Sequence, residues 1–340
     1  MEQVSLGLIG LGEIGKVHLY NCFHLKNAKL IAVADISQKS LLLAKRAGVK
    51  YVYRNYDDLL KRRDVDAVII SLPTFLHCEC AERAAERGKN IFLEKPLATN
   101  IREGERILEC VKQNGVVMMM GYPMRFDDSL CRLKSEIELG TLGDIQVATA
   151  LYVSSGPFYD RIGRHGPSPV PDWWFDKKLV GGGVLLDLGC HMINLLRWYF
   201  GNVSGVKSYL GHRFNMDFED YAICLLKFQK GIIATIKVGW FSQRPLVRIE
   251  MEGTSGHMLH NVMETPEANV LGVLNFAVNA LKRKIYGKPI LPIGYELYYE
   301  EVKHFVSCIS SDTTPSITGE EGIEDLRVIS AAYEHNFQIE

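Results

Sequence analysis

Asp187, His191 and Asn194 stand out as polar positions in the apolar stretch that runs from Gly181-Gly182-Gly183 to Trp198. Read as one helix opened by the glycines, the stretch places Asp187 and His191 four residues apart and Asn194 three further, so all three share a face. Polar groups on a buried face need partners. Such a pair suits a general base: Asp187 would hold His191 in one tautomer and stabilise its cation while the ring removes a hydroxyl proton. Taken alone, a histidine on an apolar helix is more often a satisfied core residue; the aligned aspartate favours the catalytic reading. A second charged group ends the apolar run Phe92-Leu93-Glu94-Lys95-Pro96. At the carboxyl end of a parallel strand, where ligand crevices form, Lys95 would hydrogen-bond a substrate hydroxyl. The competing reading is a solvated charge pair at a strand end.

A redox centre needs a cofactor, and the first turn supplies a site for one. An opening strand runs into Gly10-Leu11-Gly12-Glu13-Ile14-Gly15, followed by a helical pattern from about Ile14 to Leu25. Gly10 suits a tight turn, Gly12 the close approach of a pyrophosphate, and Gly15 tight helix packing, with the helix N-terminus facing the phosphates. A second strand ends in Asp35, about 20 residues on, as the dinucleotide fingerprint requires. Asp35 would accept from the ribose hydroxyls and repel a 2′-phosphate, which favours NAD; Ser37 and Lys39 close behind keep NADP as the alternative. Ser71, Pro73, Thr74 and His77, following another strand, and Glu94 with Lys95 complete the expected cofactor contacts.

These groups require a doubly wound half. Apolar runs at Val4 to Ile9, Leu30 to Ala34, Ala67 to Leu72, Asn90 to Leu93 and Val116 to Met120 alternate with helical patterns, as in a parallel sheet covered on both faces. After Gly121 longer strands with turn signals appear, at Asp144 to Ser154 and in the pair Tyr221 to Phe228 and Ile232 to Trp240. They indicate an α+β domain with a large, mainly antiparallel open sheet. The expected division is 1–121, an NAD(P)-binding Rossmann domain, and 122–340, a substrate and oligomerisation domain. The segment Ser154 to Asp176, with Arg161, Arg164, His165, Trp173 and Trp174 among prolines and glycines, reads either as a lid over a polyol or as a surface loop pinned by tryptophans. An apolar stripe over Val270 to Tyr286 ends in Lys282-Arg283-Lys284 and reads as a helix packed on the sheet or at a subunit contact, with a basic amphipathic surface for a membrane or partner as the alternative.

Composition narrows the partners. The 340 residues carry 39 Lys+Arg against 40 Asp+Glu, a balance that offers no field for nucleic acid or an anionic membrane. No uninterrupted apolar run reaches about 18 residues. Eight scattered cysteines match neither a zinc knuckle nor a redox pair, so reduced thiols in a cytoplasmic protein and no metal site are expected.

Together these pieces resemble the Gfo/Idh/MocA family. The matching residues are Gly10-x-Gly12-x-x-Gly15 with His18; Pro73-Thr74-x-x-His77; Glu94-Lys95-Pro96; Gly121-Tyr122-Pro123-Met124-Arg125-Phe126; and Asp187-x-Gly189-x-His191. Tyr298 to Phe305 and Thr318 to Gly322 look like that family's closing helices. The resemblance implies an NAD(P)-dependent dehydrogenase of sugars, cyclitols or their derivatives, with Lys95, Asp187 and His191 lining the reaction centre and a Lys-Pro bond that is often cis. It also implies a homodimer or homotetramer formed through exposed sheet faces. Tyr122, Arg125, Arg164, Trp173, Trp174 and Asn194 are the expected substrate contacts. Where many relatives carry aspartate, Asn194 keeps hydrogen bonding but removes a charge. Two other readings stay open: a non-catalytic dinucleotide-binding regulator on the same fold, which usually lacks the lysine or the histidine, and an enzyme that recycles tightly bound NAD.

Overall fold

The computed structural model describes residues 3–158, 170–214, 216–242, 245–264 and 295–337. They form two compact units, one from Met1–Ala98, Arg102–Phe126 and Pro266–Glu321, the other from Thr99–Ile101, Asp127–Thr265 and Gly322–Glu340. The segments Val270 to Tyr286 and 159–169, the latter including Arg161, Arg164 and His165, lie outside the described residues.

The first unit holds a six-stranded sheet of β1 (Val4–Ile9), β2 (Ala28–Ala34), β3 (Tyr51–Tyr53), β4 (Ala67–Ile70), β5 (Asn90–Glu94) and β6 (Met118–Gly121), in the order β3-β2-β1-β4-β5-β6. Every pair is parallel. All four residues of β4 are fully buried, which explains an uninterrupted Ala-Val-Ile-Ile run: helices cover both faces and leave no solvent side for a polar residue. Burial of each such aliphatic side chain contributes about 1.5–3 kcal/mol. The chain steps outward from β1 to β3, returns to β4 on the other side of β1, and steps outward again to β6. This reversal opens a crevice at the carboxyl ends of β1 and β4. The helix Glu296–Ser311 packs on the helix Glu13–Cys22 and on β1, β5 and β6, so it belongs to this unit, although a linear division at residue 121 gives it to the second.

The second unit holds β7 (Ile145–Val153), β8 (Val203–Gly211), β9 (Tyr221–Phe228), β10 (Ile233–Gly239), β11 (Leu246–Gly253) and β12 (Gly256–Glu264), ordered β12-β11-β7-β10-β9-β8. The β7–β10 pair is parallel and the others are antiparallel. β9 shows the alternation of a sheet covered on one side: Ala222, Cys224, Leu226 and Phe228 are buried, while Ile223, Leu225 and Lys227 are exposed. β7 and β10 pack against the segment that carries Asp187 and His191. By length and mean hydropathy alone Lys177–Phe200 could cross a bilayer, yet 78% of its most apolar window is buried inside this protein.

That segment differs from a single α-helix opened by three glycines. Gly181 is the left-handed cap (φ 82°) of a separate short helix, Lys177–Val180. A π-helical turn then spans Leu185–Gly189, and a regular helix follows over Cys190–Phe200. Asp187 therefore sits in a widened turn, a distortion that recurs at functional sites.

Candidate active site

The first unit brings the glycine turn and the end of β4 together. Gly10 has φ 92°, and a Cβ there would lie 2.5 Å from Ser71 O; a Cβ on Gly15 would lie 2.2 Å from Gly10 O. Ser71 Oγ stands 2.9 Å from Gly10 O and 3.2 Å from Ile9 O, so this hydroxyl braces the turn. At Gly12 a Cβ would meet nothing within 4 Å. Gly12 is also the cap position of the helix Glu13–Cys22, whose first N–H groups have no side-chain cap. An open approach to an uncapped helix N-terminus fits the pyrophosphate of a dinucleotide. Glu13 points away to Lys16 (3.0 Å), and Ile14 is half-buried. The Asp35 carboxylate closes the turn, accepting from Leu11 N–H at 2.5 Å and Ser37 N–H at 2.7 Å. Each oxygen retains a lone pair for a ribose hydroxyl.

Beyond β4, Pro73 and Thr74 are half-buried at the start of the turn Thr74–Leu76. His77 is 1% exposed, with Nδ1 2.9 Å from Pro96 O and Nε2 2.9 Å from Leu72 O. Burial holds its pKa below the ordinary 6.5, outweighing the raising effect of those carbonyls. The ring thus ties the end of β4 to the Lys95-Pro96 segment, whose peptide bond is cis. Lys95 leaves the end of β5 half-buried, its N–H donating to Glu94 Oε2 at 3.3 Å. Glu94 is buried, and its other oxygen lies 2.7 Å from His18 Nε2. Tyr122 is buried after β6, and Arg125 Nη2 donates to Ser316 O at 3.4 Å.

In the second unit Asp187 is half-buried and its N–H donates to Gly183 O at 3.1 Å. His191 is 8% exposed, its ring centroid 5.9 Å from that of Tyr152. Asn194 is engaged elsewhere: its amide donates to Asp325 Oδ2 at 2.8 Å, and Arg197 Nη1 donates to Oδ1 at 2.6 Å. All three residues are buried. Asparagine at 194 thus completes a fixed charge pair, a role that its spacing alone does not disclose. Trp174 lies 4.9 Å from Trp240 between ring centroids, while Trp173 is half-buried.

Two further residues organise this segment and carry no local sequence signal. Glu219, 3% exposed, accepts from Gly183 N–H (3.1 Å), Leu185 N–H (3.0 Å) and Tyr333 Oη (2.9 Å). It thereby satisfies donors that a helix start leaves open. Burial still holds its carboxyl above the usual range, and pushes the Tyr333 hydroxyl far up. A Cβ at Gly183 would lie 1.9 Å from Glu219 O, so only glycine fits there.

The family model described as "Oxidoreductase family, NAD-binding Rossmann fold" matches residues 4–122, and that described as "GFO/IDH/MocA C-terminal domain" matches residues 131–259. Myo-inositol 2-dehydrogenase of Thermotoga maritima is 29% identical over 334 residues, 94% of this chain and 92% of the relative. Levoglucosan dehydrogenase of Pseudarthrobacter phenanthrenivorans is 25% identical over 334 residues, covering 88% and 84%. Among solved structures, scyllo-inositol dehydrogenase from Lactobacillus casei with bound NAD(H) and scyllo-inositol superposes with a TM-score of 0.78 at 22% identity, covering 98% and 97% of the two chains.

Proposed function

This chain belongs to the Gfo/Idh/MocA family of NAD-binding oxidoreductases, and from that premise we propose that it oxidises a secondary hydroxyl of a cyclitol or sugar. The dinucleotide, when bound, supplies the hydride acceptor. The observation that carries the reading is the open cradle at Gly12 above an uncapped helix, on the same sheet edge from which Lys95 departs. Lys95 hydrogen-bonds the reacting hydroxyl and stabilises the carbonyl oxygen as it forms. His191 takes the hydroxyl proton and Asp187 orients its ring. Tyr122, Arg125, Arg164, Trp173 and Trp174 are the substrate determinants. The carboxylate of Asp35 favours NAD over NADP, because a 2′-phosphate would bring a second negative group against it.

Inositols lead the substrate panel because the myo-inositol enzyme aligns over nearly all of both chains, with anhydrosugars and aldoses next. Lys95→Ala and His191→Ala are each expected to fold, bind NAD and lose roughly 10²–10⁴-fold in turnover. Turnover like wild type in either variant would remove that residue from the mechanism. Single-turnover release of free NADH separates a dehydrogenase from an enzyme that recycles its cofactor.

The protein is also proposed to be a cytoplasmic homodimer or homotetramer. No two of its eight cysteines are joined by a disulfide, which suits a reducing compartment. Tyr209, Ile223 and Leu225 are 42–48% exposed on the uncovered face of the second sheet, with Tyr209 and Ile223 cross-strand partners. An apolar cluster of that kind suits a contact with a second copy of the chain.

A further inference from the structure

Three side chains inside the first unit form a cluster that the proposed reaction does not use directly. His18 comes from the helix Glu13–Cys22, Glu94 from the end of β5 and Glu301 from the helix Glu296–Ser311; all are buried, and one ligand-type atom of each lies within 4.8 Å of the others. His18 and Glu94 are in direct contact at 2.7 Å. Glu301 is 0% exposed, and among the described residues neither of its carboxyl oxygens has a hydrogen-bond partner.

A carboxyl in such a place is neutralised by a cation or by a proton. Two atoms ligating one first-row cation at about 2.0–2.2 Å sit about 3 Å or more apart in tetrahedral or octahedral geometry. The 2.7 Å His18–Glu94 contact is instead an ordinary hydrogen-bond length. Metal-bound histidine also gives its second nitrogen an acceptor, whereas His18 Nδ1 is buried without one among the described residues. These observations favour the proton.

We infer that Glu301 is a positioning residue for Lys95, kept as a neutral carboxylic acid so that Glu94 alone accepts from both the His18 ring and the Lys95 N–H. An ionised Glu301 would set two buried carboxylates within 4.8 Å of each other. Their repulsion would displace Glu94, and with it the peptide that launches Lys95. Burial pushes the Glu301 carboxyl well above its usual range, and Glu94 adds to the shift.

Among the described residues Glu301 has no salt-bridge partner. Of the elements packed on its helix, β1 and β6 carry no titratable side chain and β5 carries only Glu94. The helix Glu13–Cys22 adds His18, the Cys22 thiol (pushed up to about 12 by burial), Tyr20 and the exposed Glu13–Lys16 pair. The turn Pro123–Phe126 adds Arg125, bonded to Ser316 O. On its own helix Glu300 pairs with Lys303 at 2.8 Å, and Glu296, Tyr298, Tyr299, His304 and Cys308 complete the titratable groups.

This inference rests on the dehydrogenase reading for its link to turnover, and two of its readouts need no substrate. In Glu301→Gln the protonated-carboxyl C=O stretch seen in the infrared spectrum of the wild type at neutral pH should disappear. The unfolding midpoint of the variant relative to wild type should rise by roughly 3–5 °C per pH unit from about pH 5 up to the carboxyl's raised value. Turnover of the variant should stay within about twofold of wild type near neutrality, and its activity should persist further into the alkaline range. A wild type without that infrared band, a relative midpoint flat or falling with pH, stoichiometric metal lost in Glu301→Gln, or a tenfold loss of turnover with NAD binding intact would each overturn the assignment.

Discussion

The three glycines of the first turn should respond differently to one added methyl group, because their surroundings differ. At Gly15 a Cβ would lie 2.2 Å from Gly10 O and 2.9 Å from Ser71 Oγ. The backbone oxygen cannot swing away, so overpacking of about 1–3 kcal/mol is expected. At Gly10 the left-handed φ of 92° adds about 1–2 kcal/mol for a side chain, besides the 2.5 Å contact with Ser71 O. At Gly12, φ is −63° and no atom lies within 4 Å of the new carbon. Gly12→Ala should therefore leave stability within about 1 kcal/mol of wild type, the size of a lost cap preference. What it fills is the path by which a pyrophosphate reaches the helix N-terminus. Loss of about 1.4–2.8 kcal/mol there raises the NAD dissociation constant roughly 10–100-fold. Scanning fluorimetry with calorimetric NAD titration reads both quantities. Gly15→Ala should melt roughly 2–12 °C lower, and Gly12→Ala should melt near wild type yet bind poorly. A Gly12→Ala protein that binds NAD like wild type, or one that melts as low as Gly15→Ala, would refute the division of roles.

Asp325→Ala strips Arg197 and Asn194 of a shared buried acceptor and should cost about 3–5 kcal/mol in denaturant unfolding; a loss under 1 kcal/mol would show that the pair contributes little. His77 has a folded pKa below 6.5, so stability present above that value should drain away as pH falls through the window below it, at up to about 1.4 kcal/mol per pH unit. That acid-side slope should shrink in His77→Gln and would count against the mechanism if unchanged. Ile223→Lys with Leu225→Lys should shift the protein to a smaller assembly in light scattering; an unaltered mass would place the subunit contact elsewhere.

The elements that position the cofactor were legible because their signals are local. β1 begins and ends where its apolar run does, and the glycine spacing marks the turn that follows. β3 escaped notice: it is three half-buried residues at a sheet edge, with no run to see. β8, β11 and β12 mix charged and apolar residues, and the parallel β7–β10 pairing inside a mostly antiparallel sheet is a matter of long-range register. The residues that hold the site together were hidden for the same reason. Glu219 meets Gly183 across 36 positions and Asp325 meets Asn194 across 131. No spacing rule spans such distances, and the π-helical turn under Asp187 depends on tertiary contacts.

Each unit is completed only after both sheets have been made. The first is incomplete until Glu301 and its helix have been made, and the second until Asp325 and Tyr333 have been added, although their sheets begin at Val4 and Ile145. A nascent chain that ends after β12 therefore exposes the apolar flank of the helix Glu13–Cys22 and leaves Arg197 without its acceptor. Vectorial folding, in which an N-terminal domain matures before the next emerges, is unavailable to this protein. The helices that follow β12 complete one unit each, and ribosomes stalled short of them should yield two unfinished halves.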